Sequence, residues 1–388
     1  MKCISVIFAA AAVMLSLFGC GAKSAVTAPA EPKSVELDYA SLTAETAAET
    51  ALDIYLLAGQ SNASGSTRIA TAGEGERDAN TYRNVWYYYS RQDVDGTNQA
   101  SRMDYRPVTE GLGYDEEHIG PELGMARVLN EKYTGSRKAL ILKVAAGGTS
   151  LLMNERTMSN WGQSGQKYFL QRGSWYPSSL KDGEPMDSVS PTGFLTRQLR
   201  RTIDTVYREL LEKGFLPENI RFKALCWMQG EEDRSHTRNY YTYFPAFAEE
   251  IRGQITETTG TDHSAMPVIM GEISESFSSA SRDSLETNRK FNDVLHRLAD
   301  ENPSFTVIPT GQYQLTELVD GSPWSLVRTI TTGITAICLP SASCSAIRRT
   351  PPGIDAAGLK IGGGCGTITQ KRRRSFAARS RNRSVSYA

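Results

Sequence analysis

Five short apolar runs limit most strongly how this chain of 388 residues can fold. Each has the length and the apolar content of a buried strand. They read DIYLLA from Asp53, KALILKVA from Lys138, IRFKALCWM from Ile220, MPVIMGEI from Met266 and FTVIPT from Phe305. A strand that is apolar along its whole length is typical of a parallel sheet covered on both faces.

Helical patterns lie between these predicted strands. One apolar face is formed by Leu195, Leu199, Ile203, Val206 and Leu210, and another by Leu285, Phe291, Val294, Leu295 and Leu298. Strands that alternate with helices predict an α/β fold in which helices flank a mostly parallel sheet.

Two polar and aromatic stretches, 71–114 and 154–187, show no strong periodicity. We expect both to be long surface loops, which in α/β enzymes often shape a substrate cleft. Within the first stretch, the run WYYY from Trp86 favours an aromatic strand that packs on its neighbours over a surface that stacks on sugars.

The two ends of the chain differ in composition from its body. Lys2, an apolar run at 4–18 and Cys20 form the pattern of a signal peptide. The last residues of this segment, LFGC, resemble the end of a bacterial lipoprotein signal, which would make Cys20 the lipid-modified first residue. We expect a signal peptide at 1–20, a flexible linker at 21–50, a folded domain at 51–326 and a separate tail at 327–388.

The zero net charge of the chain hides an acidic body and a basic tail. Residues 324–388 carry 11 Lys and Arg but one acid, Asp355, and the remainder has a net charge of −10. A basic tail can bind nucleic acid, but the acidic body has no basic surface motif interleaved with aromatic residues. Since no Cys or His spacing indicates zinc, we expect no metal and no cofactor.

Three polar, glycine-containing clusters each follow a predicted strand directly. AGQSNASG follows the first strand, AAGGTS the second and QGEED the third. Ligands bind at the carboxyl ends of the strands in an open parallel sheet. We therefore expect Ser61, Gly148 and Gln229 to lie in one cleft at that edge.

Each cluster also has a purely structural interpretation. Ser61 and Asn62 suit a turn or a helix cap, Gly147 and Gly148 suit a left-handed turn, and the carboxylates at 231–233 suit a solvated loop. Because all three clusters follow strands of one predicted sheet, their joint position favours the functional interpretation.

The chemistry that fits the clusters is acyl transfer. A serine at a strand-to-helix turn presents its hydroxyl at the top of the sheet, with its own backbone N–H directed into the same space. A glycine N–H from the second cluster and the carboxamide of Gln229 would add two donors. Three convergent donors form an oxyanion hole, which stabilises the tetrahedral intermediate.

The clusters together resemble a known family. IYLLAGQSNASG, IGPELGMARVL, KVAAGGTSL and WMQGEEDR are similar to the blocks of the sialate O-acetylesterase and acetylxylan esterase-like branch of the SGNH hydrolases, over about residues 53–320. The resemblance implies a three-layer α/β/α sandwich with a mostly parallel central sheet, the flavodoxin-like SGNH fold. It also implies removal of acetyl groups from sugars.

The resemblance assigns roles to individual positions. Ser61 matches the nucleophile, and Ser61, Gly148 (or Gly147) and Gln229 match the oxyanion hole. Glu231 matches an acid with a supporting catalytic role. We expect Gln60, Asn62 and Gly147 to line the substrate cleft. Ala63 departs from the family because many members have methionine there.

The base that the family requires is missing from its usual place. In the family, a C-terminal histidine accepts the serine proton and an aspartate three residues earlier orients it. None of the four histidines follows the last predicted strand. His118 and His236 lie near the clusters and are candidate bases, although we expect no orienting acid beside either. We expect His263, in a polar turn, and His296, in a helix, to be structural or exposed.

The stretch VRTITTGITAICLPSASC, from Val327, explains the missing base. It has no carboxylate, no histidine and no clear periodicity. Reverse translation and a slip of one base permit, among many other strings, DHYHWNYRYMLTIGKLFG, which contains Asp-x-x-His. We interpret residues 327–388 as the product of a frameshift near Leu326, and expect this tail to be disordered.

These observations predict an exported carbohydrate O-acetylesterase that acts on acetylated oligo- or polysaccharides and is impaired as written. We expect a cell-surface or periplasmic lipoprotein, attached to the membrane through its lipid only, or otherwise a secreted protein. A sugar-binding lipoprotein without catalysis is the alternative. We expect no binding to nucleic acid.

Overall fold

Strand β1 (Ala51–Gly59) lies at the centre of a seven-stranded sheet. The computed structural model describes residues 38–71, 79–90, 102–152, 173–180, 192–275 and 282–310. The further strands are β2 (Thr67–Arg68), β3 (Tyr82–Tyr89), β4 (Arg102–Val108), β5 (His118–Ile119), β6 (Arg137–Ala145), β7 (Ile220–Met228), β8 (Val268–Gly271) and β9 (Phe305–Ile308). The order in the large sheet is β4-β3-β6-β1-β7-β8-β9, and β2 pairs with β5 separately.

The large sheet is parallel except at one edge, where β3 and β4 pair in antiparallel fashion. Alternate residues of β1 enter different cores: Ile54 packs on one face and Tyr55 on the other. Both faces of the sheet are therefore buried, which is why its central strands are mostly apolar.

Helices cover both faces of the large sheet. They are α1 (Ala44–Ala48), α2 (Ser61–Ser64), α3 (Pro121–Lys132), α4 (Phe194–Lys213), α5 (Thr237–Thr259) and α6 (Arg282–Glu301). Apolar residues of α4, α5 and α6 join the core with Ile54, and those of α3 join the core with Tyr55. The fold is therefore the predicted three-layer α/β/α sandwich with a mostly parallel central sheet.

The five predicted strands correspond to β1, β6, β7, β8 and β9, and the two predicted helical faces lie on α4 and α6. The prediction of a surface loop at 71–114 is wrong, because this stretch contains β3 and β4. The run from Trp86 to Tyr89 is buried in β3, as the aromatic-strand interpretation predicts. Of the second predicted loop, the structure describes only 173–180 within 154–187.

Residues 38–50 differ from the flexible linker expected there. Thr43 caps α1 by accepting a hydrogen bond from the backbone N–H of Thr46, and Ala47 is fully buried. Tyr39 stacks on Tyr105 with ring centroids 3.9 Å apart. These contacts place the start of the ordered domain before residue 51.

Both ends of the chain lie outside the described residues. This applies to the predicted signal peptide at 1–20 with Cys20, to linker residues 21–37, and to the predicted tail at 327–388. None of the helices in the described ranges is long and apolar enough to cross a membrane.

Gly59 allows β1 and β7 to approach closely at their carboxyl ends. Its φ is +143°, and a Cβ atom at this position would lie 2.0 Å from the carbonyl oxygen of Met228. The next residue, Gln60, donates its backbone N–H to the same oxygen over 2.9 Å. A side chain at position 59 would therefore separate the two strands at the edge that carries the predicted site.

We expect Gly59→Ala to lower the free energy of unfolding by at least about 2 kcal/mol, because backbone strain and a clash with backbone add together. Gly253→Ala is the matched control, because Gly253 lies within α5 and a Cβ there has no atom within 4 Å. That control should be unchanged or slightly more stable. Urea unfolding measures both, and equal stability of the two variants would contradict the proposed close approach.

Candidate functional site

Ser61 occupies the first position of α2, immediately beyond the carboxyl end of β1. Gln60 fixes the turn, because its side-chain Oε1 accepts the backbone N–H of Gly230 over 3.3 Å. Gly65 ends α2 in the left-handed conformation, with φ +84°, and donates its N–H to the carbonyl of Ser61 over 3.0 Å. This strand-to-helix turn leaves Ser61 half-buried at the edge of the sheet.

The second cluster lies directly beside Ser61. A Cβ atom at Gly147 would lie 3.8 Å from the Cβ of Ser61, and the neighbouring Gly148 has φ +68°. Within the described ranges, no hydrogen bond reaches the Oγ of Ser61 or the backbone N–H of Gly147 or Gly148. The hydroxyl and the two N–H groups therefore have no protein partner there.

The third cluster joins the other two through buried carboxylates. Glu231 Oε1 accepts a hydrogen bond of 2.6 Å from Asn62 Nδ2, next to Ser61. Asp233 accepts the backbone N–H groups of Leu151 and Leu152 over 2.7 and 3.1 Å, immediately after the AAGGTS cluster. The structure thus brings the three clusters together.

Gln229 is engaged within the protein. Its Nε2 donates to Asp233 Oδ2 over 2.5 Å and to the carbonyl of Thr149 over 3.2 Å, and its side chain is buried. A carboxamide nitrogen has two hydrogens, so both donors of Gln229 are used in this arrangement. An oxyanion role for Gln229 would require one of these hydrogen bonds to be exchanged.

Burial changes the electrostatics of the third cluster. Desolvation, with a smaller contribution from the nearby charge of Glu232, raises the pKa of Glu231 to about 7, against the hydrogen bond from Asn62. Desolvation likewise raises the pKa of Asp233 to about 7, against its hydrogen bonds from Leu151 and Gln229. The solvated-loop interpretation is wrong for both residues and holds only for Glu232, which is exposed.

A buried ion pair is hydrogen-bonded to the last residue of α2. Lys143 Nζ on β6 donates to the carbonyl of Ser64 over 2.7 Å and to Glu122 Oε2 over 2.9 Å. Burial raises the pKa of Glu122, and the charge of Lys143 opposes that rise. Neither residue was assigned a role from the sequence, in which α3 and β6 each carry further charged residues that do not distinguish this pair.

Within the described ranges, no hydrogen bond joins any of the four histidines to the side chain of Ser61. His236 Nδ1 lies 3.1 Å from Ser235 Oγ, His263 Nδ1 lies 2.7 Å from the carbonyl of Thr261, and His296 Nε2 lies 2.5 Å from Glu272 Oε1.

His118 has an orienting acid, which corrects the sequence analysis. Asp115 precedes His118 by three residues, and its Oδ1 lies 2.5 Å from His118 Nδ1. This Asp-x-x-His spacing is visible in the sequence. The pair lies on the loop that contacts Gly65, where the backbone N–H of Tyr114 donates to the Gly65 carbonyl over 2.8 Å.

The described ranges contain no group of three His, Cys, Asp or Glu side chains that could hold a metal ion.

Comparisons with solved structures give matches of low sequence identity. NanS is 18% identical, with a TM-score of 0.46 over 78% of this chain and 91% of that chain. A protein from Arabidopsis thaliana is 14% identical, with a TM-score of 0.44 over 73% and 94% of the two chains. A carbohydrate acetylesterase from Xanthomonas citri is 13% identical, with a TM-score of 0.40 over 73% and 54%. No protein-family model and no curated protein matches the chain.

The raised pKa of Glu231 predicts a pH-dependent stability. Glu231 has an ordinary pKa of 4.5 in the unfolded chain and about 7 in the folded one. Between pH 4.5 and pH 7 the folded protein holds a proton on Glu231 that is released on unfolding. The contribution of this proton to the free energy of unfolding is therefore fully present below pH 4.5 and is lost as the pH rises to 7. One proton gives a slope of about −1.4 kcal/mol per pH unit in that window.

We expect Glu231→Gln to remove the contribution of Glu231 to the slope of the free energy of unfolding against pH. Urea unfolding between pH 5 and 8 measures this slope. Glu232→Gln is the matched control, because Glu232 is adjacent but exposed, and it should retain the slope. Identical pH profiles for the two variants would show that Glu231 does not titrate in this window.

Proposed function

We propose that this chain is an exported carbohydrate O-acetylesterase of the SGNH type, with Ser61 as its nucleophile, and that it is impaired as written. The observation that carries the proposal is the half-buried Ser61 hydroxyl, which lacks a protein partner in the described ranges and lies beside Gly147. A serine held at a strand-to-helix turn, next to a glycine pair with free N–H groups, is the arrangement that acyl transfer requires.

The proposed reaction begins when Ser61 Oγ attacks the carbonyl carbon of an acetyl ester and loses its proton to a base. The carbonyl oxygen becomes an oxyanion, which the backbone N–H groups of Ser61 and of Gly147 or Gly148 stabilise. The sugar oxygen then leaves with a proton from the base, and the acetyl group remains on Ser61. Water, activated by the same base, releases acetate.

Glu231 has a supporting role in this proposal. Its hydrogen bond to Asn62 holds the residue after the nucleophile and connects α2 to the loop that follows β7. Because Glu231 is buried and its pKa is raised, its protonation changes the strength of this hydrogen bond near neutral pH. We therefore assign Glu231 to positioning of the nucleophile turn, and Gln60 and Asn62 to the walls of the cleft.

The base is the missing part of the proposed machinery. A serine hydroxyl is a weak nucleophile until a base accepts its proton. Our proposal is that the base is the second histidine of the Asp-His-Tyr-His string, three residues after the aspartate, which a one-base slip near Leu326 would restore. A second candidate function, sugar binding without hydrolysis, is favoured by the lack of a hydrogen bond between a histidine and Ser61 within the described ranges.

Activity should therefore depend on the reading frame. We expect the chain as written to hydrolyse an acetylated sugar very slowly, because loss of a triad histidine costs on the order of a millionfold in kcat. Restoring the frame after Leu326 should recover most of the hydrolytic activity, and Ser61→Ala in the restored chain should abolish that activity again. Acetate release from acetylated xylan by the three proteins measures this.

Two outcomes would contradict this account. Full activity of the chain as written would show that one of its four histidines is the base. Absence of hydrolysis in the restored chain, with sugar binding retained, would favour the binding protein without catalysis.

We also propose that Cys20 is lipid-modified and anchors the domain at the cell surface or in the periplasm. The lipid and a flexible segment after it would leave the cleft free to reach a polysaccharide. Cys20→Ser should release the protein from the membrane fraction or block its processing, as fractionation and mass measurement would detect. Cys226→Ser is the control, since Cys226 is buried in β7. Unchanged processing and membrane binding of Cys20→Ser would refute the anchor.

A further inference from the structure

Tyr114 is the exposed aromatic side chain of the described ranges. It is 46% exposed, and the other large apolar side chain that is exposed there is Leu216, at 41%. Exposure of an aromatic ring to water is unfavourable, and a tyrosine has an apolar ring that can pack on a ligand and a hydroxyl that stays in water.

The backbone of Tyr114 is attached to the nucleophile turn. Its N–H donates to the carbonyl of Gly65 over 2.8 Å, and the N–H of Gly65 donates to the carbonyl of Ser61 over 3.0 Å. One helical turn is about 5.4 Å long, and backbones joined by a hydrogen bond lie about 5 Å apart. Tyr114 therefore lies within roughly 11 Å of Ser61, a distance that a short oligosaccharide spans.

The loop that carries Tyr114 is closely packed on this turn. A Cβ atom at Gly65 would lie 2.7 Å from the Cα of Gly120 and 2.9 Å from the Cα of Gly113. Gly113 in turn donates its N–H to the carbonyl of His118 over 3.0 Å. The position of the loop relative to Ser61 is thus determined by backbone contacts.

His118 places a polar group at the edge of the Tyr114 ring. The two rings meet edge-to-face, with centroids 6.1 Å apart and planes at 83°. Asp115 Oδ1 lies 2.5 Å from His118 Nδ1, so Nε2 is the ring nitrogen left to form a hydrogen bond with another group. His118 Nε2 has no hydrogen-bond partner within the described ranges, and the His118 side chain is 16% exposed.

We propose that Tyr114 and His118 form a sugar-binding subsite beside the Ser61 cleft. The face of Tyr114 packs against the apolar C–H face of a sugar ring, and His118 Nε2 accepts a hydrogen bond from a hydroxyl at the rim of that ring. The ring that occupies the subsite is a neighbour of the acetylated sugar in an oligosaccharide. This inference rests on the proposed function, because it assumes that Ser61 acts on a carbohydrate chain.

The test is calorimetric titration of the full chain with acetylated xylo-oligosaccharides and, separately, with acetylated xylose. We expect Tyr114→Ala to raise the Kd for the oligosaccharides about three- to tenfold, which is the value of one aromatic contact, and to leave that for acetylated xylose unchanged. Tyr114→Phe keeps the ring and should bind like the original chain. Leu216→Ala is the matched control, since Leu216 is equally exposed but precedes the opposite end of β7.

An unchanged oligosaccharide Kd in Tyr114→Ala would overturn the subsite, as would an equal loss in Leu216→Ala. Hydrolysis of 4-nitrophenyl acetate by the frame-restored chain separates this inference from the proposed function, because that ester has no sugar. If Ser61 chemistry is absent while Tyr114→Ala still weakens oligosaccharide binding, the subsite holds and the esterase proposal fails. Loss of 4-nitrophenyl acetate hydrolysis in His118→Asn would show that His118 is the base and would overturn its assignment as a sugar contact.

Discussion

The buried carboxylate of Asp233 is the constraint on which the geometry of the site depends. A carboxylate without water must have its oxygens satisfied by the protein, and Asp233 accepts hydrogen bonds from Leu151, Leu152 and Gln229. These donors come from the loop after β6 and from the loop of Asp233 itself. Neither loop can move alone without leaving a buried polar group unpaired, so the glycine pair beside Ser61 is held in position by a residue that need not contact the substrate.

The same principle applies on the other side of Ser61. Lys143 is buried and donates to the Ser64 carbonyl and to Glu122, so the end of α2 is tied to β6 and α3. Glu231 ties the start of α2 to the loop after β7 through Asn62. The nucleophile turn is therefore preorganised by groups that all lie before residue 311. The turn that holds Ser61 can therefore form without the catalytic base. Only activation of the serine needs that base, which our proposal assigns to the segment after Leu326.

Much of the fold follows from the sequence because strands covered on both faces are mostly apolar. This composition makes β1, β6, β7, β8 and β9 recognisable. Strand β3 was harder to recognise, because Arg83 and Asn84 lie near its start and its tyrosine hydroxyls are polar although the rings are buried. The convergence of the three clusters that carry Ser61, Gly148 and Gln229 was predictable from their places after strands of one sheet.

The polar contacts of the site were less predictable. Glu122 and Lys143 are 21 residues apart, and nothing in a single sequence pairs them before the fold is known. Gln229 is a plausible oxyanion donor from its motif, but only the structure shows that Asp233 and Thr149 engage both of its hydrogens. Asp115 precedes His118 by three residues, so the Asp-x-x-His spacing is present in the sequence. It was not assigned because the family resemblance places this motif near the C-terminus.

The central claim is that Ser61 is an activated nucleophile once a base is supplied. Incubation of the frame-restored chain with a fluorophosphonate, followed by peptide mass analysis, tests this most directly, because the reagent forms a covalent bond only with an activated serine. The account predicts one phosphonyl group on the peptide that contains Ser61, and much slower labelling of the chain as written. Labelling of a different residue, or no labelling of a correctly folded restored chain, would contradict it.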